Sequence, residues 1–215
     1  MISLVVTEGS GAMDIYSQKL AEKLDVPKVY TDIYQRIAKR FNISWLSRNA
    51  LRAIAEDRSF VKTLNNLNGI AHLPNQHLGR YGNFLKVPYI ITVHDLIRYL
   101  DLKKGRAYIH HPNHRDEFYL NLDYKGVKKA ARIIAVSEAT KGDLIHHLGI
   151  PEDRVSVIYP GVDHATFRPS LQSSNFEYSY ILFVGSEHPR KNLLTVLSAF
   201  SRLKEQPSFN NLKLV

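Results

Sequence analysis

The sequence predicts an α/β protein, a parallel β-sheet with helices on both faces, followed by the opening strand, helix and strand of a second sheet of the same kind. Three observations carry this. Short apolar runs recur through the chain (Ile2 to Val6, Pro88 to Val93, Arg132 to Val136), each of strand length. Segments with helical spacing stand between them, which is the alternation that buries a parallel sheet under its crossover helices. The stretch from Arg132 to Tyr159 also reads as one complete strand, helix, strand unit.

Taken in order, Ile2 to Val6 is a strand that runs into Gly9-Ser10-Gly11, and a helix follows with Met13, Tyr16, Leu20 and Leu24 on its inner side. Lys28 to Thr31 reads as a second strand. Ser47 to Leu64 reads as a helix with Leu51, Ile54, Val61 and Leu64 inward. Gly69 to Leu73 is a third strand, and the polar, glycine-marked NQHLGRYGNF after it is loop or short helix. Pro88 to Val93 is the clearest central strand and delivers His94 and Asp95 at its carboxyl end. His114 to Lys129 reads as an amphipathic helix feeding the Arg132 strand. Ser137 then caps a helix, with Glu138 in its first turn, Leu144, Ile145 and Leu148 on one face, and Gly149 and Pro151 at its end. Val155 to Tyr159 is the next strand, and a polar linker separates it from Tyr180 to Val184. A helix over residues 192–204 carries Leu193, Leu197 and Phe200 on one face, and Leu212 to Val215 opens a last strand.

Composition excludes several classes. With 44% hydrophobic residues the chain suits a folded globular core, and no apolar run reaches the roughly 18 residues of a spanning helix. The start MISLVVTEGS lacks the charged region of a signal peptide, and zero cysteines exclude disulfides and thiolate metal sites. Both features accord with a cytoplasmic protein. A net charge of +9 favours anionic partners such as phosphorylated ligands or an acidic membrane face, or is simply the charge of a basic soluble protein. No nucleic-acid-binding motif is present, so nucleic acid is not an expected partner.

Four places carry candidate chemistry. Gly9 and Gly11 stand between a strand and a helix, where backbone N–H groups can approach a phosphate or sugar, although such glycines also arise for steric reasons alone. His94 leaves a strand at the carboxyl edge, where ligands of open α/β sheets bind; a structural histidine is the alternative, and Asp95 is read as a cap for the next turn. Residues 98–115 hold Arg98, Lys103, Lys104, Arg106 and Arg115 against the single acid Asp101, and form either a solvated basic loop or a surface for an anionic acceptor. Their three histidines, His110, His111 and His114, lack the spacing of a zinc site, so no metal is expected. Finally Gly185 is followed by Arg190 and Lys191 before a helix, an arrangement that suits a diphosphate or a merely exposed basic pair.

The phrases ITVHDL, AVSEATKGDL, VIYPGVD…FRP and ILFVGSEHPRKNLLTVLSAF resemble segments of the family 4 glycosyltransferases. The likeness is loose over the first 85 residues and close from Pro88 onward. It implies the GT-B fold of two facing Rossmann-like domains, with residues 1–169 as the N-terminal, acceptor-side domain. Residues 170–215 would be a fragment of the C-terminal nucleotide-sugar-binding domain. It further implies a retaining transfer from a nucleotide-sugar donor to a glycan or lipid-linked acceptor, with no metal or other cofactor. On this resemblance Gly9 and Gly11 lie near the donor diphosphate, His94 contacts the sugar being transferred, and Lys191 with Arg190 clamps the diphosphate.

Three departures stand out. Ser10 interrupts the family's double glycine, and Ser186 stands where the family has an arginine. The family's two glutamates, seven residues apart, do not occur after Lys191. The expectation is therefore a chain truncated early in its second domain and inactive alone. Its unpaired C-terminal strands would favour self-association, and its basic loop peripheral contact with an acidic membrane. The alternative is a catalytically silent module that binds an anionic acceptor, a membrane face or a protein partner.

Overall fold

The computed structural model describes residues 1–31, 50–105, 108–169 and 178–215, without the side chains of residues 50–56. The expected helix start at Ser47, the inward Leu51 and Ile54, Arg106 and most of the 170–179 linker lie outside the described residues. The chain forms two compact units. One comprises Met1–Tyr99 and Asn113–Pro160, the other Leu100–Pro112 and Gly161–Val215.

The first unit is a six-stranded sheet in the order β2-β1-β3-β4-β5-β6, with every pairing parallel. The strands are β1 (Ile2–Val6), β2 (Lys28–Tyr30), β3 (Ile70–Leu73), β4 (Tyr89–Val93), β5 (Arg132–Ala135) and β6 (Val155–Val157). The helices of this unit are α1 (Ala12–Lys23), α2 (Ala50–Asn65), α3 (Ile97–Lys104, which runs on past Tyr99 into the second unit), α4 (His114–Lys129) and α5 (Glu138–Leu148). Burial on both faces explains why the strands read as unbroken apolar runs. Leu4, Val5, Leu73, Ile91, Val93, Ile133 and Leu144 are at most 1% exposed, and each contributes roughly 1.5–3 kcal/mol of burial. The α/β parallel-sheet class predicted by the sequence is what the chain adopts.

The order reverses at one point. From β1 the chain moves outward to β2, then returns to place β3 on the other side of β1. A crevice therefore opens at the carboxyl ends of β1 and β3, the place where open α/β sheets bind ligands.

Two packing devices fix the turn after β3. The 3-10 turn Gln76–Leu78 runs into a single helical turn, Gly79–Gly82, which lies backbone to backbone on α4. A Cβ on Gly126 would sit 1.6 Å from the Gly79 carbonyl oxygen, so a side chain cannot be accommodated there. Across the same contact the Arg80 guanidinium grips Asp123 of α4, Nε to Oδ1 at 2.7 Å and Nη2 to Oδ2 at 2.9 Å. His77 Nδ1 lies 3.2 Å from the same carboxylate, which is wholly buried.

Several local readings differ from the sequence expectation. The face of α1 that packs is marked by Ser17, its one buried residue; Leu24, expected inward, is 42% exposed. Ser17 is inward because its hydroxyl accepts the Thr7 N–H at 3.0 Å and meets the Thr7 hydroxyl at 2.9 Å. Residues 98–115 are not one basic loop, since Ile97–Lys104 is helical. Asp101, expected as a lone surface acid, is 2% exposed and accepts the Tyr108 N–H at 2.7 Å. The caps expected at Ser137 and Gly149 are present: Ser137 Oγ accepts the Thr140 N–H at 3.1 Å, and Gly149 takes φ 68°.

In the second unit β7 (Tyr180–Ile181) pairs in parallel with β8 (Lys213–Leu214), joined by α6 (Leu193–Lys204). Both strands are shorter than expected. None of Leu193, Leu197 and Phe200 is buried, and Leu194 is 80% exposed.

Candidate functional site

The crevice at the strand-order reversal is a cleft of about 470 Å³. Its walls are the loop after β1 and the first turn of α1 (Thr7, Gly11 to Asp14), and the turn after β3 (Asn75, His77, Leu78, Arg80, Tyr81). Asn75 is 5% exposed, and its Oδ1 has no hydrogen-bond partner among the described residues. The charge of Arg80 is directed into Asp123, so this wall offers less positive charge than its composition suggests.

His94 follows β4 directly and is held from four sides. Its backbone N–H donates to Gln76 Oε1 at 3.1 Å, and its carbonyl accepts from Thr140 Oγ1 at 3.0 Å. Its ring Nε2 lies 3.0 Å from the Pro74 carbonyl oxygen. A carbonyl only accepts, so Nε2 carries a proton, and in the neutral ring Nδ1 is left as the acceptor. The Tyr16 ring of α1 meets the imidazole edge to face, with centroids 4.8 Å apart at 90°. His94 is half-buried and stands at the carboxyl edge of the sheet beside the turn that walls the cleft. The Asp95 carboxylate accepts the Ile97 N–H at 3.0 Å and so leads into α3, the capping task read from the sequence.

Beneath lies a buried polar pair: Thr92 Oγ1 is 2.9 Å from His72 Nε2. Thr92 is 0% and His72 7% exposed. Burial pushes the His72 imidazole down to about 4, so it is neutral at pH 7 and serves as a hydrogen-bonding group.

The glycine loop sits as expected between β1 and α1, with Gly11 as the N-cap in extended conformation. Its first-turn acid has a consequence. Asp14 Oδ2 accepts the Gly11 N–H at 3.1 Å, and a Cβ on Gly9 would fall 2.2 Å from that same oxygen. A side chain at Gly9 would push the Asp14 carboxylate aside, whereas at Gly11, in ordinary extended conformation, a Cβ would lie 3.2 Å from Oδ2 and needs only a small shift. A ligand reaches the Gly11 N–H by displacing Asp14.

Arg190 and Lys191 belong to the second unit, in the 3-10 turn Pro189–Lys191 before α6. Asn192 follows at φ 53° and turns the chain into the helix. The Lys191 side chain passes near Gly185, its Cγ 3.6 Å from where a Cβ would stand. The Arg190 N–H donates to the Tyr108 carbonyl at 3.2 Å. Arg190 and Lys191 are exposed. Among the described residues no group of three or more His, Asp or Glu side chains is disposed to hold a metal ion.

Sequence reasoning missed Gln76, Thr140, Asn75, Asp14 and the pairing of Tyr16 with His94. Only Asp14 carried a signal, as an acid three residues after a capping glycine. The others act across strands, where no local pattern points.

A parallel α/β sheet with a polar crevice at its strand-order reversal and a tethered histidine at the carboxyl edge is the architecture of a ligand-binding or catalytic domain. Residues 14–166 match the family model for Glycosyltransferase Family 4, well over half of the chain. The chain belongs to this family. A D-inositol 3-phosphate glycosyltransferase of Pseudarthrobacter chlorophenolicus is 30% identical over 87 residues, which is 40% of this chain and 20% of that protein. The chain thus aligns with about a fifth of the length of that curated relative. The crystal structure of Anabaena Alr3699/HepE in complex with UDP resembles the whole chain, with a TM-score of 0.55 and 12% identity, over 68% of its own length. That likeness shows a shared fold.

Proposed function

We propose that the chain provides the acceptor-side domain and the start of the nucleotide-side domain of a retaining glycosyltransferase. The substrates are a nucleotide-sugar donor and a glycan or lipid-linked acceptor. The observation that carries the reading is His94, fixed at the carboxyl edge of β4 with its Nε2–H committed to Pro74. An imidazole so tethered offers Nδ1 as an acceptor for a hydroxyl of the sugar being moved. Family membership supports transfer as the reaction, and the UDP named with the Anabaena structure supports a nucleotide-bound donor.

In the reaction the bond between the anomeric carbon and the diphosphate oxygen breaks. The acceptor hydroxyl oxygen bonds the same face of that carbon, and its proton passes to the departing diphosphate. Arg190 and Lys191 would stabilise the charge developing there, which is preorganised electrostatic catalysis without a metal. Gly9 and Gly11 would present the glycine loop to the donor. Such a role requires Asp14 to give way. The curated relative's name includes a phosphorylated polyol, and the net charge of +9 suits an acceptor of that chemistry or an acidic membrane.

A second reading, a catalytically silent binding module, draws on Asp14, which holds the Gly11 N–H against an incoming phosphate. Incubating the 215-residue chain with nucleotide sugars, alone and with its second domain completed, separates the two. Transfer only in the completed form supports the enzyme reading, and none in either supports the module.

A further inference from the structure

We propose that His77 is a second substrate-facing histidine of the cleft, its Nε2 accepting a hydrogen bond from a hydroxyl of a polyol or sugar acceptor. The proposal rests on the reading of this unit as the acceptor-side domain of a glycosyltransferase. His77 lies in the 3-10 turn after β3 and lines the cleft. Its Nδ1 stands 3.2 Å from Asp123 Oδ2. That carboxylate is wholly buried, and Arg80 grips both of its oxygens. So bound it only accepts, which places the proton of the neutral His77 ring on Nδ1. Nε2 is left as an acceptor, and it has no partner among the described residues. The His77 side chain is 36% exposed although Nδ1 turns to a carboxylate that solvent does not reach. The exposed edge of the ring is then the one opposite Nδ1, and that edge carries Nε2.

The chemistry of the wall names the ligand class. The Asp14 carboxylate and the His77 Nε2 are acceptors, and Asn75 Oδ1, buried in the same wall, is an acceptor without a partner. The Arg80 charge, which would draw a phosphate, is directed into Asp123. Acceptors so placed require donors, and a small neutral molecule that carries several donors is a polyol or a sugar. A phosphate, itself an acceptor and an anion, finds no match here and is repelled by Asp14. His94 completes the pattern with the opposite tautomer, Nε2–H on Pro74 and Nδ1 open. Each histidine thus presents one acceptor, selected by the bond at its other nitrogen.

The test uses the 215-residue chain with 15N-labelled histidine, reading ring nitrogens by long-range proton–nitrogen correlation. The His77 signal is assigned by its loss in His77→Phe. In the unaltered chain it shows the Nδ1–H tautomer, and excess myo-inositol shifts its Nε2 resonance whereas inorganic phosphate does not. By calorimetric titration, His77→Phe weakens inositol binding about tenfold, the loss of one hydrogen bond from a site built around it. His77→Gln keeps an acceptor and recovers part of that loss. An Nε2–H tautomer at His77, a signal that answers to phosphate alone or to neither probe, or undiminished inositol binding in His77→Phe overturns the proposal. Inositol that shifts His77 in a protein that transfers no sugar, even with its second domain completed, removes the glycosyltransferase reading and leaves His77 as part of a polyol site.

Discussion

The Asp14 carboxylate accepts the Gly11 N–H at 3.1 Å, so the glycine loop already holds an anion supplied by its own helix. A phosphate approaching this loop meets a negative charge before it meets a free amide. Replacing Asp14 by Ala should tighten binding of pyrophosphate or UDP about fivefold, the effect of removing roughly 1 kcal/mol of repulsion near a surface. It should also cost about 0.5–1 kcal/mol of stability through the lost first-turn acid. Calorimetric titration measures the first and denaturant unfolding the second. Weaker or unchanged anion binding would show that the diphosphate does not use Gly9 and Gly11.

Arg80 and Asp123 hold the turn that carries Asn75 and Gln76 against α4. Arg80→Met leaves a wholly buried carboxylate without its cation and should destabilise the protein by about 3–5 kcal/mol. The pair Arg80→Met with Asp123→Leu should recover most of that loss. Urea unfolding of both variants checks this, and equal destabilisation of the two would count against it.

His72 gives the stability a pH dependence. Its folded-state value is about 4 against an ordinary 6.5, so between these limits the unfolded chain binds the extra proton and stability falls as pH falls. Above pH 6.5 the contribution is fully present. On descent to pH 4 it declines by about 3 kcal/mol, an order-of-magnitude figure. His72→Gln should flatten that part of the profile, measured by urea unfolding at pH 7 and pH 4.5.

The exposed Lys103, Lys104 and Arg115 test the membrane expectation. Co-sedimentation with vesicles should rise with the fraction of acidic lipid, at about 1 kcal/mol per cation near the surface, and fall with salt. Binding that ignores salt, or none at all, leaves these residues as solvated charge.

The fold was legible because its cause is local. Buried parallel strands must be apolar throughout, so Ile2 to Val6, Pro88 to Val93 and Arg132 to Val136 announce themselves. Ser137 and Gly149 mark their helix by requirements that lie within a few residues. The site was less legible, because its connections cross the sheet. Gln76 reaches His94 from the 3-10 turn after β3 and Thr140 from the first turn of α5, and nothing beside either residue marks it. Tyr16 looked like one more apolar residue on the inner side of α1. Its role shows only once the fold brings its ring against His94. The basic stretch misled for a related reason: Asp101 was counted as surface charge, whereas the main-chain N–H of Tyr108 turns it inward.

The central claim is that His94 serves sugar transfer. The direct measurement is product analysis of a nucleotide-sugar panel with the second domain completed, comparing His94 with His94→Ala. The account predicts release of nucleoside diphosphate, a glycoside of retained anomeric configuration, and a loss of roughly 10²-fold in kcat for the variant with its melting temperature little changed. Turnover undiminished in His94→Ala, or a product of inverted configuration, would contradict it.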